Sequence, residues 1–239
     1  MPRIGTRKIY HILGGEFEVK DIKIGRDKLF EILRKNRLLI TRRKRYIQTT
    51  NSKHWLKKYP NLIKALEIDR AEKLWVSDIT YIRTGEGFCY LTMITDAYSR
   101  KIVGYNTSKT LGTEGTIEAL KMAIKNRRST GELIHHSDRG LQYCSREYVE
   151  LLEKNQIRIS MTEGSDPYEN ALAERMNRTI KEEFLITEKI RDYQLLQKTV
   201  AECVEIYNTE RPHLSCGMQY PADVHKQIIN PGRATPSWG

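Results

Sequence analysis

Cysteine is scarce in this chain, and long apolar runs are missing altogether. The four cysteines, Cys89, Cys144, Cys203 and Cys216, show neither C-x-x-C pairs nor Cys/His zinc spacing. That argues against a zinc module or a disulfide scaffold, and for scattered reduced thiols in a cytosolic protein. No stretch approaches the roughly 18 apolar residues of a membrane span, and the N-terminus does not read as a signal peptide. Internal repeats and low-complexity tracts are absent too. What is present is a chain of 239 residues with 39% hydrophobic content, enough for one substantial core and a small module.

Charge is unevenly spread. Residues 1–60 hold 17 Lys and Arg against 5 Asp and Glu, net +12, and the remainder is close to neutral at −1. A basic module joined to a near-neutral core implies a polyanion partner for the N-terminal part. No basic helix with bulky apolar anchors is evident, which favours nucleic acid over a membrane surface. Within the module, Ile9, Ile12 and Leu13 are spaced for a helix that Gly14-Gly15 should end. A second helix over residues 26–36 should bury Leu29, Phe30, Ile32 and Leu33 and expose Arg34, Lys35 and Arg37. Arg42, Arg43, Lys44 and Arg45 follow. Two short helices with a basic extension suit a helix-turn-helix-like DNA-binding unit; a solvated arm touching only phosphates is the plainer reading. Residues 1–60 are thus read as this module and its linker, 61–71 as a linker helix, 72–225 as the core and 226–239 as a tail.

Three acidic residues carry the chemistry. Asp78 lies inside the strand-like run LWVSDITYI. Asp138 follows the apolar pair Leu133-Ile134 and stands beside Gly140, a strand end opening into a loop. Glu174, with thirty-five residues between it and Asp138, falls in a helix that Asp166 can cap, Pro167 can begin and Glu169 can close as a capping box. Carboxylates from three separate elements are what two divalent cations, Mg²⁺ or Mn²⁺, need for an in-line attack on a phosphodiester.

On the helix around Glu174, Asn170, Glu174, Asn177 and Lys181 fall within roughly a 60° stripe. Leu172, Met176, Ile180 and Phe184 form an apolar stripe on another side. Alone, that polar stripe is also what a solvated helix face looks like. The rest of the core reads as strands over 74–82, 88–95, 101–105, 133–136 and 157–161. Helices are expected over 113–125, from Ser145 through 152, and over 193–207, where Pro212 follows as a stop. Three antiparallel strands and then alternating helix and strand give an α/β mixed sheet with helices on its faces. Asp96, in a DAYSR turn, reads as bonding local backbone. Of His135 and His136, one should point inwards as a satisfied core residue, since magnesium prefers oxygen donors.

The set WVSDITYI, DAYSRKIVGY, HHSDRGLQY, YENALAERMNRTIK and YNTERPH resembles the catalytic core of bacterial insertion-sequence transposases of the DDE, retroviral-integrase-like type. It most resembles the group whose transposase is a frameshift fusion of two reading frames, this chain matching the second-frame product, alone or as a truncated copy. Its upstream helix-turn-helix and leucine-zipper segments have no counterpart here, and Ser77 stands where threonine is common.

The resemblance covers roughly residues 1–225 and implies a ribonuclease-H-like fold with Asp78, Asp138 and Glu174 as metal-binding catalytic residues. It implies cleavage at element ends and 3′-hydroxyl strand transfer, on double-stranded DNA comprising terminal repeats and target. It further implies a homo-oligomer on DNA in the bacterial cytoplasm, associated with the nucleoid. Lys181 and Asn170, with Arg34, Lys35 and the run 42–45, are the expected DNA contacts. Gln142 and Tyr143 either touch DNA or brace their loop. The competing readings are a DNA-binding remnant or inhibitor without catalysis, and a nuclease that cleaves without joining.

Overall fold

A computed structural model describes residues 3–40, 55–163, 170–184 and 190–227. Its centre is a five-stranded mixed sheet, as expected, and the strand order is β3-β2-β1-β4-β5. Strands β1 (Leu74–Thr84), β2 (Gly87–Asp96) and β3 (Ile102–Ser108) form the antiparallel half. The parallel half is β4 (Leu133–Ser137) beside β1 and β5 (Ile157–Met161) beside β4. Strand β1 is rich in β-branched and aromatic residues, and its side chains alternate between two apolar layers. Trp75 packs with helices α3 (Thr113–Asn126) and α5 (Arg146–Lys154), and Ile82 with α6 (Ala171–Glu183) and α7 (Tyr193–Thr209). Truncating Met176, Ile180, Leu196 or Val200, all fully buried in that second layer, would cost about 2–5 kcal/mol each. Gly104 lets α3 approach β3, because a Cβ there would lie 2.2 Å from the Ala119 carbonyl oxygen.

Several local expectations are corrected. Helix α1 (Thr6–Val19) runs straight through Gly14-Gly15 and ends only where Asp21 adopts φ 46°. Glycine lowers helix propensity by about 1 kcal/mol, which is too little to stop a helix that continues on both sides. Helix α2 (Arg26–Lys35) buries Leu29 alone; Phe30 and Ile32 stay exposed because the small module offers one contact face. The linker helix expected at 61–71 does not form. Asn61 Oδ1 takes the Ile63 N–H in a local turn, and the Leu62 N–H goes to Ser160 Oγ. These bonds use backbone donors that a helix would need. Leu62, Ile63 and Leu66 pack instead beside Leu74, Val76 and Ala173. Since Leu56 and Tyr59 already lie on the core, the segment from 56 onward belongs with the sheet.

Asp96 has the expected structural role. Its carboxylate accepts from the Glu72 and Ser99 N–H groups and the Ser99 hydroxyl. A further helix, α8 (Pro221–Lys226), was not expected, and it is held through His225. Its Nδ1 lies 2.9 Å from Ser99 Oγ, and its Nε2 is 3.4 Å from Glu72. The 208–213 segment packs back on the core: Asn208 brackets the Ile102 backbone, and Arg211 forks onto Glu183 at 2.7 Å. Lys8 of α1 reaches the same Glu183 at 3.2 Å, so the N-terminal module rests on the last turn of α6. All four cysteines are free and buried. Among the described residues, no helix is long and apolar enough to cross a membrane.

Candidate active site

The β1–β4 ladder ends at the pair Val76↔His136. Two residues beyond this pair stand Asp78, still within β1, and Asp138, just past the end of β4. By strand alternation, Asp78 shares the face of Val76 and Ile82, on which α6 lies. The ladder thus delivers two carboxylates side by side where the pairing stops. Asp78 Oδ1 accepts the Ile79 N–H at 2.9 Å, and Oδ2 accepts from Asn177 Nδ2 at 2.8 Å. Burial pushes the Asp78 carboxyl up to about 7, the charge of Asp138 adds to it, the two hydrogen bonds oppose it, and Glu174 contributes a smaller push. Asp138 Oδ1 accepts the Gly140 N–H at 2.9 Å.

Helix α6 starts at Ala171, with Asn170 at its N-cap position, later than expected; Asp166, Pro167 and Glu169 lie outside the described residues. The polar stripe is confirmed as a stripe but corrected in its surroundings, because most of it faces β1 rather than open solvent. Asn170 is buried and donates to the Ser77 carbonyl at 3.2 Å, which removes it from any surface that DNA touches. Asn177 is buried on Asp78. Lys181 Nζ donates to Thr80 Oγ1 at 3.1 Å and to the Tyr81 carbonyl at 2.9 Å, and it sits 4.7 Å from the centre of the Tyr81 ring. Glu174 is the exposed member of the stripe.

In the loop after Asp138, Gln142 Nε2 binds the Leu111 carbonyl at 2.8 Å. Tyr143 is 1% exposed, so the DNA-contact alternative falls away. Residues 141–144 form a one-turn helix α4 (Leu141–Cys144) that draws the ring inward. Both histidines, not one, are buried: His135 Nε2 meets Tyr148 OH at 2.9 Å and His136 Nδ1 meets Ser160 Oγ at 2.8 Å. Burial drives His135 down to about 3, so it stays neutral. In the N-terminal module, Arg34 lies over the Phe30 ring and Lys35 pairs with Glu31 at 3.1 Å, both exposed. Arg42, Arg43, Lys44 and Arg45 lie outside the described residues. Sequence reasoning missed the binding of Asn177 to Asp78, although its place three residues after Glu174 on the same stripe was the available signal.

Oxygen donors of this kind suit a hard divalent cation, and the mutual repulsion of Asp78 and Asp138 is what such an ion would relieve. Among the described residues, no three His, Cys, Asp or Glu side chains are gathered closely enough to hold a metal ion. The charges of both Asp138 and Glu174 reach Asp78, that of Glu174 the more weakly.

Comparisons with known proteins agree with this architecture. Residues 69–167 and 155–221 each match an integrase core domain family. An insertion element IS600 31 kDa protein of Shigella sonnei is 36% identical over 91% of this chain and 79% of its own length. The transposase InsF for insertion sequence IS3fB of Escherichia coli is 34% identical over 65% of this chain and 54% of its own length. A putative IS986/IS6110 transposase of Mycobacterium tuberculosis is 35% identical over 64% and 57%. The chain therefore spans little more than half of these last two relatives. Among solved structures, the HTLV-2 integrase catalytic core domain in complex with magnesium superposes with a TM-score of 0.54 at 18% identity, over 66% of this chain and 98% of that one. A chain of the simian T-cell lymphotropic virus intasome gives 0.58 at 16% identity, over 98% and 79%. Those two likenesses establish the fold, a ribonuclease-H-like integrase core, and the identity to the insertion-element proteins establishes kinship. The chain belongs to the integrase-like transposases of bacterial insertion sequences.

Proposed function

We propose that the protein cleaves one strand at the ends of its insertion element and joins the exposed 3′-hydroxyl to DNA, with Asp78, Asp138 and Glu174 as the catalytic carboxylates. The observation that carries this reading is the placement of Asp78 and Asp138 at the open end of the β1–β4 ladder, with a buried Asp78 whose ionisation its partner opposes. Asp78, Asp138 and Glu174 would hold Mg²⁺ or Mn²⁺, two ions in all. The bound metal would lower the cost of charging the attacking oxygen and stabilise the leaving 3′-oxygen.

The chain's own residues do the rest. Asn177 and the Ile79 N–H fix the Asp78 carboxylate and favour its charged form. The Gly140 N–H does the same for one oxygen of Asp138. Lys181 places a positive charge on β1 near Asp78, where a DNA phosphate can share it. Arg34 and Lys35, on the exposed side of α2, would meet the duplex backbone, and the run 42–45 would extend that contact. Terminal-repeat and target DNA are the proposed partners, with a second copy of the chain assembling on them.

The test is incubation with Mn²⁺ and labelled element-end DNA. Cleavage followed by a joined product supports the reading. Cleavage without joining makes the protein a nuclease, and binding without cleavage makes it a non-catalytic DNA-binding protein. Asp78→Asn, Asp138→Asn and Glu174→Gln should each abolish cleavage while leaving DNA binding intact. Retention by Glu174→Gln of more than about a tenth of wild-type cleavage would remove it from the site, given the size of losses on removing a catalytic contact.

A further inference from the structure

Tyr143 follows Asp138 by five residues, yet its hydroxyl ends on the strand that carries Asp78. The ring is buried edge-on to Tyr148, with centroids 5.4 Å apart at 78°. Its hydroxyl lies 2.9 Å from Ser77 Oγ, and Ser77 Oγ donates to the Met93 carbonyl at 3.2 Å. The serine proton is thereby committed to Met93, so Tyr143 is the donor and Ser77 the acceptor. Burial keeps the Tyr143 phenol well above its usual range, which preserves that donor.

Ser77 precedes Asp78 and by alternation points to the opposite face of β1. At its other end, Tyr143 is tied to Asp138 through one glycine. The Tyr143 N–H donates to the Gly140 carbonyl at 3.1 Å, and the Gly140 N–H donates to Asp138 Oδ1 at 2.9 Å. A Cβ on Gly140 would stand 3.0 Å from that same Oδ1, so the turn closes around the carboxylate. Asp138, Gly140, Tyr143, Ser77 and Asp78 are therefore linked in one continuous path behind the sheet.

Two like-charged carboxylates repel, and β-ladder bonds between their strands end at Val76↔His136. Something else must hold their separation. We infer that Tyr143 is a positioning residue whose hydroxyl, by pinning the Asp138 turn to Ser77, sets the spacing of Asp78 and Asp138 and hence the affinity of the site for a divalent cation. This rests on the metal-site reading above. It gives Tyr143 a role in metal binding and none in touching DNA.

The experiment compares full-length wild type, Tyr143→Phe, Ser77→Ala, the double variant, Tyr148→Phe and Asp78→Asn. Tyr143→Phe removes one oxygen and keeps the ring. Tyr148→Phe removes a hydroxyl from the same buried cluster that is bonded to His135 and also interacts with Ser77, but it leaves the link from Tyr143 to Ser77 in place. Two quantities are read: the Mn²⁺ concentration at half of the metal-induced rise in Tm, and the DNA Kd without metal.

Tyr143→Phe and Ser77→Ala should each raise the Mn²⁺ midpoint roughly tenfold, the lower end of what outer partners are worth at metal sites. The double variant should do no more than either alone, because both cut the same link. DNA Kd should not change, and Tyr148→Phe should keep the wild-type midpoint even if its Tm falls. A wild-type midpoint in both Tyr143→Phe and Ser77→Ala, or an equal shift in Tyr148→Phe, overturns the positioning role alone. Wild type that shows no Mn²⁺ response, like Asp78→Asn, overturns the metal-site reading and this inference with it.

Discussion

The side-chain amide of Asn177 donates a 2.8 Å hydrogen bond to Asp78 Oδ2. The helix that carries Glu174 thereby holds the aspartate of β1. Asn177 lies three positions after Glu174, so both lie on one side of α6.

Asn177→Ala should leave that oxygen without its donor. We expect cleavage to fall at least about tenfold, and stability by about 1–3 kcal/mol, as for a lost hydrogen bond to a buried acidic group. Single-turnover cleavage and urea unfolding measure the two. Wild-type cleavage by a folded Asn177→Ala protein would show that Asp78 keeps its orientation without the amide.

Removing metal turns the site into a source of strain. The Asp78 carboxyl titrates near 7 in the fold, above its unfolded value. The folded state therefore loses stability as pH rises from about 4 to about 7 and stays penalised above that. In EDTA at pH 8, Asp78→Asn should be more stable than wild type by roughly 1–3 kcal/mol, and this gain should vanish near pH 4. A lower Tm for Asp78→Asn at pH 8 would contradict the repulsion between the two aspartates.

Lys181 is bonded to Thr80 and Tyr81, and burial lowers its pKa. Its removal should therefore affect more than DNA. Lys181→Ala should cost about 1–3 kcal/mol of stability as well as lowering cleavage at sub-saturating DNA, and Lys181→Arg should restore part of each. An unchanged cleavage rate in Lys181→Ala would leave this residue as a brace for α6 alone.

Burial opposes the charge on His225, but the carboxylates of Asp96 and Glu72 outweigh it and raise its pKa. A group raised on folding stabilises fully below its unfolded pKa and stops doing so as pH climbs through the folded one. Glu72 works in the other direction. Burial pushes it up, while His225 and the Arg128 and Ser129 N–H groups pull it below its usual value, so its contribution fades in acid. Attachment of α8 should be strongest in weakly acidic solution, and Tm should fall from pH 6 to pH 9. His225→Gln should flatten that slope. A slope identical to wild type would mean that the histidine charge does not hold α8.

Much of this was legible beforehand, for physical reasons that differ by element. The five strands stood out because β-branched and aromatic residues cluster in LWVSDITYI and its successors, and Ser145 announced α5 by capping it, as its hydroxyl does at Tyr148 N–H. The site was legible as residue types in order. Its interior was not, since Asn170, Asn177 and Lys181 look like a wet helix face until β1 is laid against them. Periodicity shows which residues share a stripe and not what covers it. Residues 61–71, read as a linker helix, differ for another reason: backbone donors taken by Asn61 and Ser160 decided the matter.

The burial of all four thiols has a practical consequence. Desolvation carries Cys144 and Cys203 up to about 11, so neither offers appreciable thiolate at neutral pH. An alkylating reagent finds no ready target on the native fold. A cysteine introduced on the outer side of α2, at Lys35 for example, would then be the single reactive position for a fluorophore or a cross-link to DNA. The native four would report on opening of the core, each labelling at the rate at which its own layer comes apart.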